Sequence, residues 1–349
     1  MTSLADARRL FDPAPGYLNT ANTGVPPVLA VEALHAAADD WRRGKSARAD
    51  AAYFEAVTRS RAAFGQLTGV PAEQVAIGGS VSALVGLVAA ALPAGSEVLT
   101  ADGDFTAVTF PFAAQEPRGI TVRSAPLDKL AESITEATTL VAYSEVQSAD
   151  GAIADNSAIA VAARAHGCAI MVDATQSCGW FPTDASAADF VVAGAYKWLT
   201  SPNGVSFLTV APDWLDRLIP NAAGWYAGGE IWESIYGLPL RLASTARRLD
   251  TSPAWMNFAA AAPALELLAA VEPGAIRKHN VALANRLRTA LGLPEAESAI
   301  VSAELGEDAR ARLAAAGVAT SFRAGRVRMA CHLYNSDADI DLTLNAIAG

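Results

Sequence analysis

Short runs of consecutive apolar residues alternate along this chain with longer segments whose apolar positions recur three and four residues apart. The short runs fall at 75–78, 97–100, 121–123, 139–143, 169–173, 190–194 and 205–210. Their length and unbroken apolar character predict strands buried on both faces, as in a parallel sheet. The longer segments, 31–43, 53–68, 81–92, 156–166 and 259–271, predict helices, with Asp155 placed as the cap of the fourth. Strands alternating with helices imply a mostly parallel sheet with helices on both sides, an α/β fold. After Val210 the rhythm breaks. Residues 212–255 are rich in Gly, Trp and Pro and read as irregular. From about Ala259 a long helix is expected, then strand-like pieces at 299–303, 319–322 and 327–331, and a last helix from Asp337. This is the pattern of a smaller α+β domain. The expected organisation is an N-terminal arm (1–16) packing on the small domain, a large domain (17–250) and a small C-terminal domain (251–349).

Composition narrows the class. The chain has 349 residues, 52% of them hydrophobic, enough for a large core and roughly two domains. A formal net charge of -10 with scattered arginines argues against nucleic-acid binding, which calls for a basic face. The most apolar stretch, 81–92, is interrupted by Ser82 and Gly86 and is shorter than the ~20 residues a bilayer span requires. The opening MTSLADARRLFDP has no signal-peptide apolar core. Three cysteines, Cys168, Cys178 and Cys331, show no metal-ligand spacing, and no metal site is expected. A sparse, odd set fits a reducing cytoplasm and no membrane.

The candidate chemistry lies in CAIMVDATQSCGW and DFVVAGAYKWLTSPNG. The first is an apolar strand ending at Asp173; the second is another strand followed by Lys197. In parallel α/β sheets ligands sit beyond the carboxyl ends of the strands, which puts both charges on the ligand side. Alone, a strand-end Asp is most often a cap and a strand-end Lys most often a solvated charge. The ordered set points elsewhere. Pyridoxal 5′-phosphate needs a lysine amine for its aldehyde, a carboxylate for its ring nitrogen and a nest of backbone N–H groups for its phosphate. Lys197 and Asp173 meet the first two needs. The turn Gly78-Gly79-Ser80-Val81-Ser82, between a strand and a helix, meets the third.

From about Tyr17 to near the C-terminus the chain resembles the class V aminotransferases, the fold-type I pyridoxal-phosphate family that includes cysteine desulfurases, kynureninase and isopenicillin N epimerase. YLNTANTGVPP is similar to the family's substrate loop, which gives Ala21 and Asn22 a substrate role. The resemblance puts Gly79, Ser80 and Val81 at the phosphate, and Phe105 where a ring-stacking His is usual. It puts Asp173 at the ring nitrogen and Gln176 at the phenolic oxygen. Lys197 becomes the Schiff-base lysine. Thr251 and Ser252, in RRLDTSPAW, become contacts to a partner subunit's phosphate, and Arg328, in VRMACHLYNS, the clamp for the substrate α-carboxylate. A homodimer is implied. The chain departs from the pattern at Tyr196, which stands where the family has His, and at Ser148, which stands for an Asn. Phe105 stacks but does not exchange protons.

Desulfurases carry a nucleophilic Cys shortly before the carboxylate Arg; here that segment reads GVATSFRAGRVR, without one. Persulfide transfer is therefore not expected. The leading expectation is a β-eliminating C–S lyase that releases pyruvate and ammonia. The alternatives are an epimerase or aminotransferase of the same family, and, further off, a non-catalytic protein of the fold. Whole-chain style resembles lyases of ergothioneine biosynthesis, which act on a hercynylcysteine sulfoxide. Such a substrate carries a trimethylammonium group, for which Trp225, Tyr226, Trp232 and Trp255 are candidate cage residues. The same rings equally suit a subunit interface.

Overall fold

A computed structural model describes residues 1–45 and 50–349. In chain order the main elements are α1 (Leu4–Arg8), α2 (Val28–Arg42), α3 (Asp50–Thr68), β1 (Val75–Gly78), α4 (Val81–Ala91), β2 (Glu97–Ala101), α5 (Thr106–Ala113), β3 (Thr121–Ala125), β4 (Thr138–Ser144), α6 (Asn156–His166), β5 (Ala169–Asp173), β6 (Phe190–Gly194) and β7 (Ser206–Val210). They continue with α7 (Trp255–Ala270), α8 (Ala275–Ala290), β8 (Ile300–Ala303), α9 (Glu307–Ala315), β9 (Ser321–Arg323), β10 (Arg326–Ala330) and α10 (Asp337–Ala348).

Seven strands form one sheet in the order β1-β7-β6-β5-β4-β2-β3. Neighbouring strands from β3 to β6 run parallel, while β7 is antiparallel to both β6 and β1. The predicted mostly parallel α/β sheet is thus the fold. Every residue of β5, β6 and β7 is buried, which is why these segments read as continuous apolar runs rather than alternating ones. One face is covered by α4 and α5 around Leu84, Val88, Phe112, Leu140 and Phe190. The other packs against Phe64, Ile159, Phe258 and Leu265 from α3, α6 and α7. The expected cap is present: Asp155 accepts from the Ala158 N–H at 2.9 Å; at the other end Gly167 closes α6 with φ of 64°.

A second, antiparallel sheet has the order β8-β10-β9. It packs with α8, α9 and α10 around Leu287, Val301, Leu313, Met329 and Ile340. Besides the short α1, three helices depart from the sequence reading. α5 contains Pro111, which reads locally as a breaker. α8 and α9 are rich in Arg and Ala, and α8 buries only one stripe, including Leu283 and Leu287. The chain before α2 joins the two sheets. Gly16 and Leu18 exchange backbone hydrogen bonds with Ala319 and Ala330 of the small sheet, and Gly24 N–H donates to the Tyr196 carbonyl at 2.9 Å.

Candidate active site

Five sheet strands, β1, β2, β4, β5 and β6, point their carboxyl ends at one place. β1 runs into Gly79 and Ser80; Ser80 caps α4 by accepting from the Ala83 N–H at 3.3 Å, and both Ser80 and Ser82 are exposed at the helix start. β2 runs into Asp104 and Phe105, β4 into the turn that carries Ser148, β5 ends on Asp173, and β6 leads to Tyr196 and Lys197. These ends enclose a cavity of about 210 Å³ lined by Gly79, Ser80, Val81, Phe105, Ser148, Asp173, Gln176, Tyr196 and Lys197 among others. The sequence-predicted set for one chain therefore converges.

Lys197 and Asp173 are both buried there, 5% and 4% exposed, and among the described residues neither forms an ion pair. Burial lowers the Lys197 ammonium to about 8; Asp173 pulls it up, and Arg328 and Arg323 push it down. Burial raises Asp173 to about 6, opposed by hydrogen bonds from Thr175. The Lys197 Nζ lies 5.2 Å from the Phe105 ring centroid and 5.5 Å from that of Tyr196. An aromatic wall, a buried carboxylate without an ion pair among the described residues, a neutralisable amine and a helix N-terminus share one cavity.

A second cavity, about 450 Å³, shares Phe105, Ser148, Tyr196, Lys197 and Asn203 with the first and opens outward past Ala21, Asn22, Arg323 and Arg328. Arg328 is 2% exposed and among the described residues has no carboxylate partner. Its Nη1 donates to the Ser148 backbone carbonyl and to Ser148 Oγ at 2.9 Å, and its Nε donates to Ser321 Oγ at 3.1 Å. Burial, then the charge of Arg323, lowers its pKa to about 10. A buried guanidinium facing a cavity without its own anion has the charge and donors to receive one. Gln176 Nε2 also donates to Ser148 Oγ, at 3.1 Å, and to the Ala21 carbonyl at 2.9 Å. With two donors on its oxygen, Ser148 has its own hydrogen left to give into the cavity.

Several residues of the site carried no sequence signal. Asp104 accepts from Phe105 N–H at 2.7 Å and Ser144 N–H at 2.8 Å, joining the β2 and β4 ends. Thr175 N–H donates to Asp173 Oδ1 at 2.8 Å, and its Oγ1 accepts from Gly194 N–H at 3.0 Å. Gly24 is needed for space: a Cβ there would stand 1.9 Å from the Lys197 carbonyl oxygen. Gly24→Ala should cost about 1–3 kcal/mol of stability, as overpacking does, and loosen the Ala21–Asn22 wall. Urea unfolding measures the first effect and substrate KM the second; an unchanged unfolding midpoint would refute it.

Some expected residues lie elsewhere in a single chain. Thr251 and Ser252 follow the buried Arg61–Asp250 ion pair (2.6 Å) and do not line the Lys197 cavity. Trp225 lines a separate aromatic cleft with Phe54, Trp232 and Trp255, where Trp225 and Trp232 stack at 5.8 Å. Tyr226 is buried behind that cleft, 5.5 Å from the Trp255 ring. The expectation that Trp225 and Tyr226 reach substrate is therefore not met within one chain, because α3 and the start of α7 draw the rings onto Phe54. All three cysteines are buried and free; burial pushes Cys168 and Cys331 up to about 12 and raises Cys178 as well. None is a ready nucleophile.

Pyridoxal phosphate fits this donor set by the chemistry of its residues, and the architecture is that of a fold-type I pyridoxal-phosphate enzyme. The chain matches the family described as Aminotransferase class-V over residues 22–341. It is 30% identical over 310 residues to the uncharacterized aminotransferase YcbU of Bacillus subtilis, covering 83% of this chain and 82% of that protein. It is 30% identical over 305 residues to a kynureninase of Deinococcus radiodurans, covering 80% of this chain and 72% of that one. The solved structure of the cystine C–S lyase C-DES with cysteine persulfide superposes with a TM-score of 0.85 at 22% identity, covering 96% and 97% of the two chains. This chain belongs to the aminotransferase class-V family.

Proposed function

We propose that this enzyme is a β-eliminating C–S lyase acting on a cysteine conjugate. The carrying observation is that, among the described residues, a buried lysine lines two adjoining cavities, one with a buried carboxylate and the other with a buried guanidinium that has no carboxylate partner, and no accessible thiol lies beside them. When bound, pyridoxal phosphate supplies the electron sink that makes an amino acid's Cα–H acidic. The assigned roles follow from position. Arg328 would hold the α-carboxylate. Asp173 would keep the ring nitrogen protonated, Ser148 would give its free hydrogen toward the phenolic oxygen beside Gln176, and Phe105 would offer its ring face to the cofactor with Tyr196 beside it. Gly79, Ser80 and Val81 receive the phosphate at the start of α4. Lys197, freed when substrate takes its place, removes the Cα proton. Loss of that proton and of the Cβ–S bond yields a thiol, or a sulfenic acid from a sulfoxide, together with 2-aminoacrylate. Water then converts the latter to pyruvate and ammonia.

The particular substrate we propose is a hercynylcysteine sulfoxide. A homodimer would complete the site, with Thr251 and Ser252 of one copy meeting the phosphate held by the other, and the Trp225–Tyr226 cleft turned to the same boundary. The C–S lyase activity named for C-DES, on the same fold, supports elimination. The aminotransferase name of YcbU supports the alternative of amino-group transfer, which uses the same Lys197 proton transfer. The test is cofactor-loaded protein incubated with cysteine conjugates, with pyruvate, racemised substrate and transferred amino group measured separately. Pyruvate in stoichiometric yield is expected. Racemisation or amino transfer without pyruvate would replace the lyase reading with the epimerase or aminotransferase one.

A further inference from the structure

The outer cavity holds more positive charge than an ordinary amino-acid substrate calls for. Its lining contains Lys197, Arg328 and Arg323 and, among the described residues, no Asp or Glu. The two arginines belong to one hairpin. β9 and β10 pair in antiparallel register with Arg328 opposite Ser321 and Arg326 opposite Arg323. Directly opposed residues share a face, and so do residues two apart, so Ser321, Arg323, Arg326 and Arg328 all lie on one side. The connection is the two-residue turn Ala324-Gly325, with φ of 47° and 79°, a short turn that fixes register and holds Arg323 at the tip.

Like charges opposed across a ladder are unfavourable, and only one of this pair is compensated. Arg326 forms an ion pair with Glu304. Arg323 donates to its neighbour's carbonyl, Phe322 O, at 2.8 Å and weakly to Asn22 Oδ1 at 3.3 Å, and among the described residues has no carboxylate partner. It is close enough to act electrostatically on both Arg328 and Lys197. The wall facing it is apolar, built from Ala30, Val31, Leu34 and Ala260.

We infer that Arg323 is a specificity residue for a second anionic group, carried at the far end of the substrate side chain. Resting on the reading of Arg328 as the α-carboxylate clamp, the substrate class becomes an amino acid with a distal anion, which in a hercynylcysteine is the carboxylate beside the trimethylammonium group. Lys197 would be engaged by the cofactor, which leaves two guanidinium groups for two anions. A neutral side chain of the same size leaves Arg323 unsatisfied and its charge uncompensated next to Arg328.

A near-isosteric pair tests this: S-carboxymethyl-L-cysteine and S-carbamoylmethyl-L-cysteine differ in charge and hardly in shape. Their dissociation constants are measured on the cofactor-loaded protein, by the visible absorption change or by calorimetry. The wild type should prefer the carboxylate roughly ten-fold, the equivalent of about 1.4 kcal/mol. Arg323→Ala should bring the ratio to about one and Arg323→Glu should invert it, while Arg323→Lys retains part of the preference. Arg328→Lys should weaken both ligands and keep the ratio. A wild-type ratio near one, a ratio unaffected by Arg323→Ala, or no binding of either ligand at millimolar concentration overturns the proposal. The readout is binding, so a preserved ratio without pyruvate formation removes the lyase reading and leaves the second-anion site standing.

Discussion

Lys197→Ala is expected to abolish the borohydride-reducible link between protein and cofactor and to lower turnover to background. Burial of the ammonium, 5% exposed among Phe105 and Tyr196, supplies the reason for a large effect. With its pKa lowered to about 8, roughly a quarter of the amine is neutral at pH 7.5, against about one part in a thousand for an ordinary lysine. The sign gives a second readout. The neutral amine is the nucleophile, so capture of added pyridoxal phosphate by cofactor-free wild type should quicken as pH rises and level off above about 8. Stopped-flow absorbance in the visible measures it, and mass spectrometry after borohydride locates the bond. A modified residue other than Lys197, or a link that survives Lys197→Ala, would overturn the assignment and the function built on it.

Asp173→Asn is expected to lower kcat by roughly ten- to a hundred-fold with a much smaller change in KM, the loss of one charge-assisted hydrogen bond of about 1.5–3 kcal/mol. The substitution separates two roles. Asn keeps an oxygen to accept from the Thr175 N–H, so the β5 turn is preserved. What it removes is the negative charge that a protonated ring nitrogen needs. Burial pushes the Asp173 carboxyl up to about 6, hydrogen bonds to Thr175 oppose that, and Asp104 adds repulsion. A ring-nitrogen cation in the cavity supplies the compensation that Lys197 gives only in part. Because the ring nitrogen stabilises charge that develops at Cα, the loss falls on the transition state rather than on substrate binding. Steady-state kinetics with circular dichroism as a folding control measures this, and near-normal turnover would reduce Asp173 to a turn cap.

The legible and illegible parts of this site differ in kind. Asp173 and Lys197 stood out because each follows an apolar run whose four or five residues are all buried, and the end of such a strand is a defined place in a parallel sheet. Ser80 was legible as part of a turn between strand and helix, and its capping of α4 was not. Arg323 was not: one Arg in GVATSFRAGRVR looks like any exposed charge, and only the Ala324-Gly325 turn and the hairpin register put it beside Arg328. Gly24 was not, because its constraint is the carbonyl of Lys197, 173 residues on. The Trp225–Tyr226 pair was read toward substrate from the cationic group that the resemblance implied, and Phe54, from a helix far earlier in the chain, gathers those rings instead.

Sequence by itself determined the alternation of strand and helix, the parallel character of the sheet and the cap of α6. These follow from properties within a few residues: side-chain period, backbone preference and the burial an apolar run demands. The meeting of Ser148 with Arg328, 180 residues apart, and of Asn22 with Arg323, 301 apart, was decided only by the tertiary structure. Local pattern says which face of an element is apolar and where it ends; it does not say which faces meet. That choice is made where the N-terminal segment bonds both to the small sheet and to the Tyr196 carbonyl after β6, and it sets the charge, shape and openness of the space around Lys197.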